Sequence, residues 1–405
     1  MNKTLLCNLD LLRRKFGGVS EDENKAIEEF RDTFLRMLDG FLDGQKNQVL
    51  FFSRDQNDLK AAQDAFDSVH PLYRYATREQ VKNLLQEGEN TEYLFVSNKD
   101  IDFQMAVRFR VLLVVPLWIP QEDKAEYYGI TVDIPEQLFQ FVQVLNNHNF
   151  WHSTCHIDDH SVALSLMDAR YKKYAWTTNE KEMMQHFEHL LKQGRSRSYY
   201  KILLYHFLSG MTNTDLFDDI ELFGIIPSSD CTLNPDMLDF MQQVRYIKGK
   251  RLPHNRMHCD NLLIRAFSKE KAHETDSSIR AQRGPEVEFS TLCLNAEFAD
   301  KIHRLKRTGR FNVCIFDDYM TFGNSFNAVR NILNHLGANK IVFVSLGNFG
   351  RPFERWDYDI QGNVFDIGYD YRLISKTQLQ PEYNYRAKEE VDALYEIYNT
   401  EQRRG

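Results

Sequence analysis

Four short apolar runs recur in the first 120 residues: TLLCNLD (4–10), QVLFFSRDQ (48–56), EYLFVSNKD (92–100) and RVLLVVPLW (110–118). Three of them end in polar or acidic residues. Charged, helix-prone segments separate the first three, among them SEDENKAIEEFRDTFLRMLDGFLDG (20–44). Short strands alternating with helices predict a parallel sheet covered on both faces. In such sheets ligands bind beyond the C-terminal ends of the strands, where these polar residues fall.

The pattern changes near residue 135. PEQLFQFVQVLNNHNFW, SVALSLMDARYKKYA, EKEMMQHFEHLLKQG and SYYKILLYHFLSG carry apolar residues at helical spacing, so 135–220 is expected to be a helical connector or cap. Strand-like runs return in NVCIFDD (312–318) and KIVFVSLGNFG (340–350). The helix SFNAVRNILNHLG lies between them, with Gly337 as its C′ residue. Residues 268–290 form the most polar long stretch and are expected to be a mobile loop. The fold class is therefore α/β, with a first parallel-sheet domain over 1–134 and a second over 221–405. A chain of 405 residues is long enough for two or three cores.

A formal charge of −8 argues against nonspecific adhesion to nucleic acid or to an anionic membrane. VLLVVPLWIP (111–120), the longest apolar stretch, is about half a membrane span and contains proline. Six cysteines are scattered without a CxxC pair, which fits a reduced, cytoplasmic protein.

In VCIFDDYMTFGNSF (313–326), four apolar residues lead to the adjacent acids Asp317 and Asp318, then to Thr321, Gly323 and Ser325 at the start of a helix. A helix N-terminus favours phosphate, Gly323 permits close backbone approach, and the hydroxyls can reach the same oxygens. Carboxylates suit the vicinal hydroxyls of a ribose. The alternative is an ordinary strand-to-helix turn with solvated acids.

This stretch resembles the phosphoribosyl pyrophosphate (PRPP) motif of type I phosphoribosyltransferases. It departs from that pattern at Phe322 and Asn324, where small residues are usual. The resemblance implies that Asp317 and Asp318 hold the ribose hydroxyls with Mg²⁺, the second also favouring cationic charge in the sugar. It implies that Thr321, Phe322, Gly323, Asn324 and Ser325 surround the 5′-phosphate. Ser228 and Ser229 in IIPSSDCTLNP would then lie in a pyrophosphate loop. Arg265, Lys269, Lys271 and Arg280 would lie in a flexible hood, available to pyrophosphate. Trp356 is either a base-stacking residue or a core residue.

The N-terminal runs resemble the haloacid-dehalogenase-like (HAD) phosphohydrolases, whose first strand leads to Asp-x-Asp. Here the triplet is Asn8-Leu9-Asp10. Ser53 stands where the second motif closes a strand, Lys82 is a candidate third-motif lysine, and Asp100 and Asp102 resemble acids of the fourth. The resemblance implies Asp10, Asp100 and Asp102 as Mg²⁺ ligands. Asn8, an amide in place of the nucleophilic carboxylate, implies a domain without standard phosphatase activity. A generic Rossmann-like sheet with polar strand ends is the other reading.

His148, His152, His156 and His160 recur every four residues, and His254 and His258 stand beside Cys259. On a helix either set could ligate zinc; a polar inter-domain surface is the alternative for the first. As a whole the chain resembles HAD–phosphoribosyltransferase chains of bacterial stress and antiviral-defence modules, including tellurite-type operons. That implies PRPP or a nucleotide as ligand, a nitrogenous acceptor, and a protein partner from the same operon. Two functions follow as expectations: phosphoribosyl transfer or its reverse, and ligand sensing without turnover.

Overall fold

The computed structural model describes residues 3–43, 46–87, 93–145, 150–170, 178–193, 200–248, 261–269 and 284–402. The chain divides into two compact units. Unit 1 comprises Met1–Asn149 with Leu208–Asn213 and Glu396–Gly405; unit 2 comprises Phe150–Phe207 and Thr214–Tyr395.

Unit 1 alternates strands and helices: β1 (Thr4–Asn8), α1 (Glu21–Leu42), β2 (Gln48–Ser53), α2 (Gln56–Phe66), β3 (Tyr73–Thr77), α3 (Arg78–Glu87), β4 (Tyr93–Val96), α4 (Asp100–Phe109), β5 (Leu112–Pro116), α5 (Asp123–Tyr128), β6 (Ile130–Val132) and α6 (Pro135–Val144). The six strands form one parallel sheet in the order β3-β2-β1-β4-β5-β6. The four apolar runs are β1, β2, β4 and β5. The YRYAT and ITV strands were not legible, because the first is only weakly apolar and the second is three residues long. Local signals set the helix starts: Ser20 and Glu23 form a reciprocal capping box on α1, and Asp55 caps α2. Strand order reverses between β1 and β4, which makes their C-terminal ends the crevice of this sheet.

Unit 2 holds β7 (Ser153–Asp158), β8 (Ser161–Asp168), α7 (Thr178–Gln193), β9 (Leu222–Ile225), α9 (Pro235–Ile247), β10 (Leu263–Arg265), α10 (Glu286–Phe289), β11 (Leu292–Leu294), α11 (Ala299–Arg307), β12 (Asn312–Met320), α12 (Asn324–His335), β13 (Lys340–Asn348), β14 (Phe353–Gln361), β15 (Asp370–Leu379) and β16 (Glu382–Tyr383). Helices α8 (Tyr200–Thr212) and α13 (Arg386–Gln402) contribute to both units. The main sheet runs β16-β7-β8-β13-β12-β9. Strands β8, β13, β12 and β9 are mutually parallel, and β7 is antiparallel to β8.

The helical expectation for 135–220 holds at α6, α7 and α8 but fails at SVALSLMD, which is β8. All eight of its residues are buried. A short run buried on both faces loses the alternation that marks a strand, and apolar periodicity cannot separate it from a buried helix. A polar residue inside it is matched across the sheet rather than exposed: Ser165 Oγ lies 2.6 Å from Ser345 Oγ of β13.

Helix α12 is buried on most of its surface, including Asn327, Arg330 and Asn331. Its two asparagines pair with the β14 backbone. Asn327 accepts from the Trp356 amide at 3.1 Å and donates to the Glu354 carbonyl at 2.6 Å. Asn331 accepts from the Tyr358 amide and donates to the Trp356 carbonyl, each at 2.8 Å. One i,i+4 pair thus covers a strand edge that would otherwise lie open. Among the described residues no helix is long and apolar enough to cross a membrane.

Candidate functional site

Strand β12 carries the first acidic residue into a cavity of ≈ 350 Å³ whose lining includes Asp317, residues 319–326, Lys269 and Glu288. Thr321, Phe322, Gly323, Asn324 and Ser325 are all brought together there. Gly323 has φ +76°, and a Cβ on it would meet the Phe353 ring at 2.2 Å, so this turn accepts only glycine. Gly323 is also the N-cap of α12 and supplies no side-chain cap. The first turn of α12 therefore brings its amides, which have no intrahelical acceptors, to the cavity wall.

The two acids interact with each other but are placed differently relative to the cavity. The strand continues past them to Met320, and successive residues of a strand point to opposite faces. Asp317 lines the cavity and Asp318 does not. Asp317 Oδ1 accepts from the Asp318 amide at 2.9 Å, and Asp318 Oδ1 accepts from the Tyr319 amide at 2.6 Å. Burial, and then the neighbouring Asp318 charge, push the Asp317 carboxyl well above the usual carboxylate range. A divalent cation or a hydroxyl donor at Asp317 would relieve that cost. Asp317 and Glu288 are the two carboxylates in the cavity lining, and among the described residues no cluster of three or more His, Cys, Asp or Glu side chains gathers to hold a metal ion.

The other anticipated anion ligands divide. Lys269 lines the cavity. Arg265 does not serve as an available cation, which corrects the expectation. Its guanidinium is fully buried and donates to the Pro227 carbonyl at 3.2 and 3.3 Å and to Thr291 Oγ1 at 2.6 Å. The Ser228 amide is spent on the Thr232 carbonyl at 2.9 Å, and the Ser229 carbonyl accepts from the Lys269 amide at 2.9 Å. Lys271 and Arg280 lie outside the described residues. Trp356 is a core residue, 7% exposed, with Gly284 close against its ring and Lys376 Nζ 4.3 Å from the ring centroid.

Sequence reasoning missed Glu288. The stretch 268–290 reads as polar loop, yet its last part is the short helix α10, with Glu288 and Phe289 buried. An acid in a charged stretch carries no signal that it will be buried, because only its distant partners make burial affordable.

In unit 1 the three acids proposed for Mg²⁺ each have protein partners, and the partners differ. Asp102 is fully buried and accepts from Asn8 Nδ2 at 2.7 Å, Ser97 Oγ at 2.6 Å and Arg78 Nε at 2.7 Å. Asp10 is paired with Arg13 and Lys99, each at 3.0 Å. Asp100 Oδ1 accepts from the amides of Lys124 and Ala125 at 2.8 and 3.0 Å. Ser53 accepts from the Asp55 amide at the same sheet end, while Lys82 pairs with Glu79 at an exposed site.

The four-residue histidine spacing is a strand feature. His156 lies in β7, His160 in the turn after it, and His152 just before it. Four residues span about 13 Å along a strand instead of one helical turn, so these rings do not converge on a metal. His152 is fully buried and the other two are exposed. His148, His254, His258 and Cys259 lie outside the described residues.

Comparison with protein-family models, with curated proteins and with solved structures returns no match.

Proposed function

We propose that unit 2 binds a 5-phosphorylated ribose, with PRPP as the substrate, and transfers its phosphoribosyl group to a nitrogenous acceptor. One juxtaposition carries the reading: the 321–325 turn, the start of α12 and Asp317 line a single cavity. The helix amides with the Thr321 and Ser325 hydroxyls hold the 5′-phosphate. Asp317 accepts from the ribose hydroxyls. The bond between C1 and the pyrophosphate oxygen breaks as the acceptor nitrogen bonds to C1. Mg²⁺, when bound, neutralises the departing pyrophosphate. Asp318 has no contact role in this scheme.

The unit 2 fold is read as phosphoribosyltransferase-like on the succession β9, α9, β10, β11, β12, α12, with the phosphate turn after β12. Unit 1 is read as a HAD-like sheet that does not hydrolyse phosphate, because the Asn8 amide is committed to Asp102. A second reading, ligand sensing without turnover, is favoured by Arg265 being held internally rather than offered to pyrophosphate.

The test is pyrophosphate release from PRPP with Mg²⁺ across a panel of nucleobases and other amines, alongside calorimetric binding of PRPP. Release that Asp317→Ala abolishes in a folded protein supports transfer. Binding without release for every acceptor selects the sensor, and absence of binding removes both.

A further inference from the structure

The cavity already contains an anion belonging to the protein. Glu288 is 4% exposed, yet it belongs to the cavity lining. Ser325 Oγ donates to its Oε1 at 2.9 Å, the Lys269 ammonium pairs with the same oxygen, and Arg265 Nη2 lies 2.8 Å from Oε2. Burial pushes the Glu288 carboxyl up, but the Lys269 and Arg265 charges outweigh it and hold the group below its ordinary range. Glu288 is therefore ionised at neutral pH. A hydroxyl in the first turn of a helix and a nearby ammonium are the partners a phosphate oxygen would take.

We propose that Glu288 is a specificity-determining residue that occupies the phosphate seat and must be displaced from Ser325 and Lys269 by the incoming ligand. This rests on the reading of the cavity as a phosphoribosyl site. Arg265 is anchored independently by Pro227 and Thr291, so it can retain the displaced carboxylate through its other oxygen. The exchange replaces one negative charge with another, and a monoanion gains little from it. A phosphate monoester brings nearly two charges, and its sugar adds contacts at Asp317. The seat therefore selects dianionic phosphate esters over phosphodiesters and carboxylates.

Calorimetry with ribose 5-phosphate and with its phosphate methyl ester, a monoanion, tests this on the full chain, with circular dichroism to verify folding. Wild type is expected to bind the monoester and to reject the methyl ester. Glu288→Gln removes the competing charge and should tighten ribose 5-phosphate by about tenfold while admitting the methyl ester. Glu288→Asp keeps a charge for Arg265 but draws back from Ser325, and should fall between. Wild-type binding that both folded variants leave equal or weaker overturns the inference and leaves the site reading standing. Failure of wild type and both variants to bind either ester removes the site reading and the inference with it. Should the variants not fold, a crystal structure of wild type with ribose 5-phosphate decides. An intact Ser325–Glu288 hydrogen bond beside the bound ligand overturns the proposal, and a broken one supports it.

Discussion

A methyl group at Gly323 would stand 2.2 Å from Cε2 of Phe353, and Gly323 holds φ at +76°. The start of β14 is thus packed directly against the turn that begins α12. Close packing and a left-handed backbone are imposed at one residue.

Gly323→Ala should accordingly destabilise unit 2 by about 2 to 4 kcal/mol, from backbone strain and overpacking together. Urea unfolding followed by tryptophan fluorescence measures it. Phe353→Leu added to Gly323→Ala should recover part of the loss, since it relieves the contact and leaves the strain. A double variant no more stable than Gly323→Ala would show that the ring is not the obstacle.

Asp317 carries a cost in the absence of ligand. Its folded-state pKa lies well above the ordinary 3.8, first through burial and then through Asp318. For a raised pKa, the stabilising contribution is complete below the unfolded value and is lost as pH rises through the folded one. Asp317→Asn should therefore melt a few degrees higher than wild type at pH 7, with the difference closing below pH 3.8. The same variant should lose Mg²⁺-dependent PRPP binding, a divergence of stability from function that scanning calorimetry and titration can follow together.

His152 predicts the opposite dependence. Burial lowers its pKa from 6.5 to about 4, against the opposing pull of Asp168, while Arg170 and His206 push it further down. The unfolded chain takes up a proton between these values and the folded chain does not. Stability is thus lost as pH falls from 6.5 towards 4, by roughly 3 kcal/mol from this group. His152→Gln should flatten that portion of the pH–stability curve. An unchanged slope would mean that other groups dominate acid unfolding.

At the crevice of unit 1, Asn8→Asp would set a carboxylate oxygen where the amide now donates to buried Asp102 at 2.7 Å. A loss of about 2 to 4 kcal/mol is expected at pH 7. Asn8→Asp combined with Asp102→Asn restores a donor and an acceptor and should recover at least half of it. Neither variant should hydrolyse p-nitrophenyl phosphate; turnover by Asn8→Asp would reverse the reading of this domain.

The turn after β12 was legible because its order of residue types is local. An apolar strand, an acid, a left-handed glycine and a helix start are all specified within 14 residues. The C′ glycine of α12, Gly337 with φ +83°, was equally local. The roles of the individual charges were not. Asp317 and Asp318 look equivalent in sequence, but the continuation of β12 to Met320 sends only one of them to the cavity. Arg265 and Glu288 look like solvated loop charges until a distant fold places them against each other.

By itself, the sequence determined four of the six strands of unit 1 and the position of the turn after β12, since both depend on neighbours a few residues apart. Tertiary structure alone decided that SVALSLMD is a strand, that Asn327 and Asn331 cover the edge of β14, and that Glu288 sits on Ser325. Those outcomes depend on which groups share a low-dielectric interior, where a polar atom must find a partner however far away in the chain it lies.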